Sequence, residues 1–312
     1  MAFPVLTPEL ARETLGALGA NVDASALRVE KRDERWLVRL PGSRAAWSAA
    51  SPTGRELLLR ERRVLRLLEG RCSFGAPRVL REDPSGGVDV RALVPGMEEP
   101  WRLLGATSRD TSLAKRIGAS VGGMLSEQHT RIRAEDAAGW LPRRPDWPGR
   151  RDWVRDRLRR VVVDASLRAD AEEIIARYES LPVSESDRVL VHGDVGLHNL
   201  AIHEASHAVH GLYDYEGSAW ADRHLDFRYL MYDLDRFDLL EAAIDAYEPA
   251  TGRHLHRGRI LLYNAACAVG FLAYRAGTRP DKVSCGRTLA EDLRWSNHVV
   301  PRALAPGQAD LG

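Results

Sequence analysis

Cysteine is scarce in this sequence. Only three occur among 312 residues, Cys72, Cys267 and Cys285, and they are widely spaced. An odd, scattered set makes neither a disulfide framework nor the C-x-x-C spacing of a structural metal site. We therefore expect a protein that folds without disulfides in a reducing compartment, the cytoplasm being the simplest.

The sequence also lacks an excess of charge of either sign. Its 45 Lys and Arg nearly balance 44 Asp and Glu, which leaves a formal net charge of +1. No global field would attract nucleic acid or an anionic membrane, so we expect neither as a partner. The basic clusters at residues 55–66 and 150–160 also contain acids and have helical patterning, which is typical of solvated helix faces.

Long apolar runs are missing as well. Nowhere do about 18 apolar residues follow one another, so no membrane span is expected. The first residues, MAFPVLTPELARETL, show no basic segment followed by an apolar core, and we therefore expect no signal peptide. The length suits one large domain or two lobes around a cleft.

The hydrophobic periodicity that is present predicts a mixed fold. A helix capped by Thr7 should precede a hairpin of residues 27–31 and 35–40, a helix at 53–68 and two strands at 79–81 and 88–94. Helices are predicted at 112–129 and 152–181, short strands at 188–191, 200–203 and 209–213, and helices again from 224 onward. The break at Val94-Pro95-Gly96 indicates a β-rich N-lobe of residues 1–95 and a larger, mainly helical C-lobe of residues 96–312.

One segment contains two catalytic patterns that imply different chemistry. Residues 203–207 read His-Glu-Ala-Ser-His, which fits the zinc-peptidase pattern H-E-x-x-H. That site needs both histidines on one helix face, a turn apart. The flanking residues favour two strands around a turn, so we predict that His203 and His207 flank or occupy a hairpin turn and bind no metal.

The other pattern, residues 191–202, reads VHGDVGLHNLAI. Phosphoryl transfer needs a carboxylate that accepts the proton of the acceptor hydroxyl, and oxygen ligands for magnesium on the nucleotide phosphates. Asp194 can be the base, and Asn199, five residues later, can offer a carbonyl oxygen to the metal. Asp214 follows the next apolar strand, and a hairpin would bring it near Asn199. Each feature alone is weak, but the ordered set is a strong indication.

These residues, with GLYDYEGSAWADRHLDF, resemble the aminoglycoside phosphotransferase and choline kinase-like family, which is related to protein kinases. The resemblance implies a two-lobed α+β protein-kinase-like fold, a small-molecule hydroxyl acceptor, ATP or GTP as phosphoryl donor and Mg²⁺. It implies that Asp194 is the catalytic base, that Asn199 and Asp214 bind the metal, and that His192 and Asp226 support the catalytic loop.

The resemblance is looser in the N-lobe. Kinase-like folds pair a basic strand residue with a helix glutamate near the nucleotide phosphates, and we predict that Arg39 and Glu61 form this ion pair. Val94 begins a segment that resembles the hinge, whose backbone would pair with a purine edge. The family's glycine-rich phosphate loop has one candidate, residues 19–25, which is short, and the charged turn of residues 31–34 cannot cradle phosphate as glycines can. A catalytically silent, kinase-like binding module therefore stays open as an alternative, and a zinc peptidase as a minor one.

The acceptor is poorly specified by the sequence. Related enzymes bind cationic aminoglycosides through acids on C-terminal helices, and Asp235 and Asp238 lie on such a predicted helix. Glu216 matches a position that is frequently acidic in the family. A solvated amphipathic face would produce the same pattern. The sequence does not choose among aminoglycoside, macrolide, choline, amino-acid and sugar acceptors, and it leaves the oligomeric state open.

Overall fold

The structure is a computed structural model that describes residues 3–97, 99–232, 237–279, 281–284 and 287–305. These residues form two compact units. The first is drawn from Met1–Glu98 and Asn199–Ser218, and the second from Glu99–His198 and Ala219–Gly312.

The first unit is built on a five-stranded antiparallel sheet with the order β1-β2-β3-β5-β4. Its elements in chain order are α1 (Pro8–Ala17), β1 (Arg28–Arg32), β2 (Arg35–Leu40), β3 (Arg44–Ala49), α2 (Pro52–Arg71), β4 (Arg78–Glu82) and β5 (Val88–Ala92). The Thr7 side chain accepts a hydrogen bond from the Leu10 amide and Pro8 occupies the first turn, so α1 begins where the sequence predicts. Helix α1 buries Ala11 and Leu15 in the same apolar cluster as Val38 of the sheet.

The strand β3 was not predicted. Its sequence, RAAWSA, is rich in alanine and does not alternate clearly between polar and apolar residues. It forms because it lies between β2 and β5 and pairs with both, and Ala45 and Ala46 are almost fully buried there. Tertiary pairing determines this strand more than its own sequence does.

A hairpin from later in the chain completes the first unit. The strands β7 (Leu200–Ile202) and β8 (Val209–Leu212) pair with each other. The Met97 amide donates to the Ile202 carbonyl at 2.8 Å, and the Leu212 amide donates to Gly75 at 2.9 Å. A Cβ atom on Gly211 would lie 2.4 Å from the Gly75 oxygen, so only glycine allows this approach. The predicted boundary at residue 95 assigns this hairpin to the C-terminal part, whereas it belongs with the N-terminal residues.

The second unit is mainly helical. Its helices are α3 (Leu104–Arg109), α4 (Thr111–Arg131), α5 (Ala134–Ala137), α6 (Arg151–Val161), α7 (Ala165–Ser180), α8 (Tyr229–Tyr232), α9 (Phe237–Thr251), α10 (Arg257–Arg275) and α11 (Leu289–Leu304). A two-stranded antiparallel sheet joins β6 (Arg188–Val191) to β9 (Ala219–Asp222). The strand β9 was also not predicted, and it is buried throughout.

Helices α4 and α9 pack closely because α4 has glycines on the contact face. A Cβ atom on Gly118 would lie 2.2 Å from the Leu239 oxygen, and one on Gly122 would lie 2.1 Å from the Ala243 oxygen. The long helix α4 also carries His129 in its last turn. Its packing therefore fixes the position of a side chain that supports the loop described below. No helix in the described part of the chain is long and apolar enough to cross a membrane.

Candidate active site

The loop after β6 is held from beneath by one buried carboxylate. Asp226 accepts the backbone N–H of His192 on one oxygen and that of Gly193 on the other, each at 2.8 Å. Gly193 has a φ of +89°, a conformation in which glycine is unstrained. Arg228 donates to the Gly193 carbonyl at 2.5 Å. The two amides and the carbonyl of the turn before Asp194 are thereby held in place.

Asp226 is itself held by the C-terminal end of α4. His129 Nε2 lies 3.1 Å from Asp226 Oδ2, and His129 Nδ1 lies 3.0 Å from the Tyr247 hydroxyl. Burial raises the pKa of Asp226, but the hydrogen bond and charge of His129, together with the Gly193 amide, lower it below its ordinary value. Asp226 is therefore an ionised, fully buried acceptor beneath the loop.

Asp194, which lies on the loop itself, is more accessible to solvent than Asp226. Its side chain is 39% exposed, and its backbone N–H donates to His192 Nδ1 at 3.2 Å. His198 Nε2 lies 3.1 Å from Asp194 Oδ2. Desolvation raises the pKa of Asp194, but His198, His192 and Arg228 outweigh it and hold the pKa below its ordinary value. The carboxylate is ionised at neutral pH, as a base requires.

In the first unit, the β7–β8 hairpin brings the two predicted metal ligands to the same end. Leu200 pairs with Leu212, and the Tyr213 amide donates to the Asn199 carbonyl at 2.8 Å. Asp214 follows directly, with a left-handed backbone (φ +56°) and a side chain that is 39% exposed. An amide oxygen and a carboxylate are the hard oxygen donors that Mg²⁺ prefers, so the donor set fits that ion.

Beside Asp214 lies a buried network of arginines and acids. Glu61 of α2 binds Arg35 through one oxygen and Arg91 through the other, both at 2.8 Å, and it also accepts the Tyr215 amide at 3.2 Å. Burial raises the pKa of Glu61, but Arg91 and Arg35 lower it below its ordinary value. Glu61 is therefore ionised and connects α2 to the segment that carries Asp214.

The predicted ion pair between Arg39 and Glu61 is wrong. Arg39 is exposed, whereas Arg35 is buried on Glu61 with its guanidinium 4.3 Å from the centre of the Trp47 ring. Both arginines point to the same face of β2, because side chains alternate along a strand. They lie about 13 Å apart along that strand, and only the first lies over α2.

Glu216, predicted to bind substrate, is part of this same network. Its carboxylate binds Arg35, whose guanidinium also lies 3.7 Å from Asp214. Arg60 donates to the Glu216 carbonyl at 2.9 Å. Burial and the nearby Asp214 charge raise the pKa of Glu216 to about 7, although Arg35 opposes the shift. Glu216 is thus already bound by Arg35 and Arg60 within the protein.

The hinge-like segment contacts the β7–β8 hairpin. The Tyr213 hydroxyl donates to the Val94 carbonyl at 2.6 Å, and His210 Nε2 lies 2.5 Å from the Pro95 carbonyl. The Val94 carbonyl, in the segment whose backbone we expect to pair with a purine edge, therefore has an internal donor.

The H-E-x-x-H residues form a hairpin turn, as predicted. The residues between His203 and His207 connect β7 to β8, and His207 has a left-handed backbone with a φ of +56°. His203 Nδ1 accepts the Ser206 amide at 3.2 Å. The helix that would place both histidines on one face is not formed, so the geometry of a zinc peptidase is missing.

Two further residues are predicted to bind the acceptor, Asp235 and Asp238. Asp235 lies outside the described residues. Asp238 lies in the first turn of α9 and is half-buried.

Four residues of the site were not singled out from the sequence. Arg35 and Arg91 belong to two different strands and meet only on Glu61, so no local pattern identifies them. His198 and Tyr213 adjoin the predicted metal ligands along the chain, and that proximity was the available signal.

An antiparallel sheet, a mainly helical second unit and an ionised aspartate on a braced loop define a protein-kinase-like phosphotransferase. The chain belongs to the phosphotransferase enzyme family APH, whose family model matches residues 14–261. No curated protein sequence matches the chain.

Solved structures of the same fold cover nearly the whole chain. A variant of aminoglycoside 2'-phosphotransferase-IIIa in complex with GDP is 14% identical with a TM-score of 0.69, over 98% of this chain and 100% of that one. A GDP and kanamycin complex of an APH(2") enzyme is 15% identical with a TM-score of 0.66, over 94% and 96%. Macrolide 2'-phosphotransferase MphH from Brachybacterium faecium is 20% identical with a TM-score of 0.62, over 96% and 98%. This likeness confirms the predicted fold class.

Proposed function

We propose that the protein transfers the γ-phosphoryl group of ATP or GTP to a hydroxyl of a small molecule. The observation that carries the proposal is Asp194, an ionised and accessible carboxylate on a loop that Asp226 fixes from beneath. Within a phosphotransferase family, such a group is suited to position the acceptor hydroxyl and remove its proton.

The bond changes assign one role to this carboxylate. The acceptor oxygen forms a bond to the γ-phosphorus, the bond from that phosphorus to the bridging oxygen breaks, and ADP or GDP leaves. The hydroxyl proton passes to Asp194. Because the His192 and Gly193 amides are tied to Asp226, the carboxylate is held in place without reorganisation during the reaction.

Asn199 and Asp214 would hold Mg²⁺. Their oxygen donors suit the ion, and the hairpin register brings them to one end. Magnesium, when bound, neutralises charge on the β- and γ-phosphates. The protein's contribution is to orient Asp214, and Glu61 does this by accepting the amide of the next residue, Tyr215.

Arg35 replaces Arg39 as the candidate phosphate-binding cation. It is fixed by Glu61 and by the Trp47 ring, and it lies beside Asp214. Its guanidinium can bind phosphate oxygens through its planar set of donors when they replace the Glu216 carboxylate. Glu216 is already bound to Arg35, which makes it a member of this cluster instead of an acceptor-binding residue.

The acceptor class is open to direct screening. The similar structures bear the names of aminoglycoside and macrolide 2'-phosphotransferases, so both antibiotic classes belong in a first panel, together with small amino alcohols. A compound in whose presence the protein releases ADP or GDP above background is an acceptor.

A thermal-shift experiment tests the proposal before any acceptor is known. We expect MgATP or MgGTP to raise the melting temperature of the wild type, and each nucleotide without magnesium to raise it less. Asp214→Asn should lose most of the magnesium-dependent part. Glu204→Gln, which changes an exposed carboxylate in the β7–β8 turn, should behave as the wild type. If neither nucleotide shifts the wild type with magnesium, the chain is a silent binding module.

A further inference from the structure

The Tyr213 side chain occupies a backbone group that a nucleobase would need. Tyr213 is half-exposed and comes directly after β8. Its hydroxyl donates to the Val94 carbonyl at 2.6 Å, a short and well-formed hydrogen bond. Val94 is only 9% exposed, so this carbonyl has limited access to other donors.

The neighbouring backbone groups are also engaged within the first unit. The Met97 amide donates to Ile202, His210 lies against the Pro95 carbonyl, and Pro95 has no N–H to offer. A purine base would therefore meet a segment in which the Val94 and Pro95 carbonyls and the Met97 amide are already bonded to the β7–β8 hairpin.

Glycines make this contact possible. A Cβ atom on Gly96 would lie 3.0 Å from both the Tyr213 hydroxyl and the Ile202 amide nitrogen. A Cβ atom on Gly75 would lie 2.8 Å from a Val94 methyl group and 3.0 Å from the His210 carbonyl. The hairpin and the hinge-like segment can approach this closely because Gly96 and Gly75 have no side chains. The fold therefore sets the position of the Tyr213 phenol.

We propose that Tyr213 is a nucleobase-selecting residue that disfavours adenine, because its hydroxyl competes with the 6-amino group for the Val94 carbonyl. This proposal rests on the proposed phosphotransferase function. An adenine base can use the carbonyl only by displacing the phenol, which then turns to water. Purine riboside, which has a hydrogen atom in place of the 6-amino group, has no donor to place there and leaves the Tyr213–Val94 hydrogen bond intact.

Tyr213→Phe tests the competition, since it removes the hydroxyl and keeps the ring. We expect the full-length variant to bind MgATP about 2- to 10-fold more tightly than the wild type, the range for one neutral hydrogen bond. Its affinity for purine riboside triphosphate, which differs from ATP by the missing 6-amino group, should be unchanged. Isothermal titration calorimetry gives both dissociation constants.

His210→Ala is the matched control. It removes a second side-chain hydrogen bond from the hairpin to the hinge-like segment and leaves the Val94 carbonyl with Tyr213. The control should gain less affinity for MgATP than Tyr213→Phe does, because the Val94 carbonyl keeps its donor. A gain in His210→Ala equal to that in Tyr213→Phe would show that a loosened hairpin is responsible, and would overturn the proposal.

The remaining outcomes are equally decisive. Equal or weaker MgATP binding by Tyr213→Phe, or an equal gain for both nucleotides, overturns base selection while the proposed function stands. A variant that binds MgATP where the wild type does not supports the competition strongly. If no nucleotide binds to the wild type or to either variant, the proposed function fails and base selection fails with it.

Discussion

Asp194 is the residue whose change should separate chemistry from binding. Asp194→Asn keeps the size of the side chain but cannot accept the proton. We expect turnover to fall by roughly 10²–10⁴-fold, the usual contribution of a general base. The melting temperature and the MgATP or MgGTP dissociation constant should stay close to wild-type values. Steady-state kinetics on a verified acceptor, with calorimetry, checks both parts. Full turnover by the variant would show that another group is the base.

Arg35 and Arg39 provide a matched pair on one strand face. Arg35→Ala leaves Glu61 and Glu216 without one of their cations, and we expect a loss of about 2–4 kcal/mol of unfolding free energy. Arg39→Ala changes an exposed side chain and should cost less than about 0.5 kcal/mol. Urea unfolding measures both. Equal costs would contradict the pairing in the structure.

The raised pKa of Glu216 gives stability a pH dependence of defined sign. The folded state holds a proton up to about pH 7, whereas an unperturbed glutamate releases it near 4.5. The stability contributed by this group is full below pH 4.5 and decreases as the pH rises toward 7. Glu216→Gln mimics the protonated form. Its stability relative to the wild type should therefore increase across that range, by an amount that partial solvent exposure reduces.

A pH-independent difference between Glu216→Gln and wild type would show that Glu216 ionises normally. Glu204→Gln, the same substitution in an exposed turn, is the matched control.

At the level of single residues, the sequence could predict the loop that carries Asp194, but not the network of arginines around Glu61. The predicted residues lie in one short segment, and their order along the chain indicates their roles: His192, Asp194, Asn199 and Asp214. The choice between Arg35 and Arg39 depends on where α2 crosses the sheet, and both satisfy the alternation of the strand. Arg91 reaches Glu61 from β5, a partner that no spacing in the sequence reveals.

Among the structural elements, the contact between α4 and α9 offers the sharpest test. Gly122→Ala places a methyl group 2.1 Å from the Ala243 oxygen, so the helices must move apart. We expect a loss of about 1–3 kcal/mol from overpacking. Gly123→Ala, one residue along, meets nothing within 4 Å and should stabilise α4 by up to about 1 kcal/mol. Thermal or urea unfolding of the two variants should shift in opposite directions. A shift in the same direction would contradict the packing.

Periodicity predicted most of the helices but not every strand. The apolar stripe of α4 and the cap of α1 are local signals, and both elements lie where expected. The strands β3 and β9 are short and are defined by pairing with strands distant in the sequence. A local pattern cannot identify such strands, because their stabilising partners lie elsewhere.

At the scale of the whole molecule, the first unit is not a continuous segment. A fragment of residues 3–97 lacks the β7–β8 hairpin that bonds to Gly75 and Met97. We expect it to unfold without a cooperative transition. The same fragment joined to residues 199–218 by a flexible linker should unfold cooperatively. Circular dichroism melting compares the two. A cooperative transition in the shorter fragment would show that the hairpin is dispensable.

The domain boundary was predicted only in part, for the same physical reason. The break at Val94-Pro95-Gly96 has a local signal, because proline and glycine interrupt regular structure. The return of residues 199–218 to the N-terminal residues has none. It depends on hydrogen bonds between backbones that are more than 100 residues apart, such as Leu212 to Gly75.

The cationic cluster around Glu61 consists of arginines, and this has a consequence for chemical proteomics. The chain has only three lysines, Lys31, Lys115 and Lys282, and each is exposed and outside that cluster. Nucleotide probes that acylate a lysine beside the phosphates would find no amine at Arg35 or Arg91. Such reagents would therefore find no target within this cluster, and guanidinium-directed or photoreactive probes are the suitable ones for it.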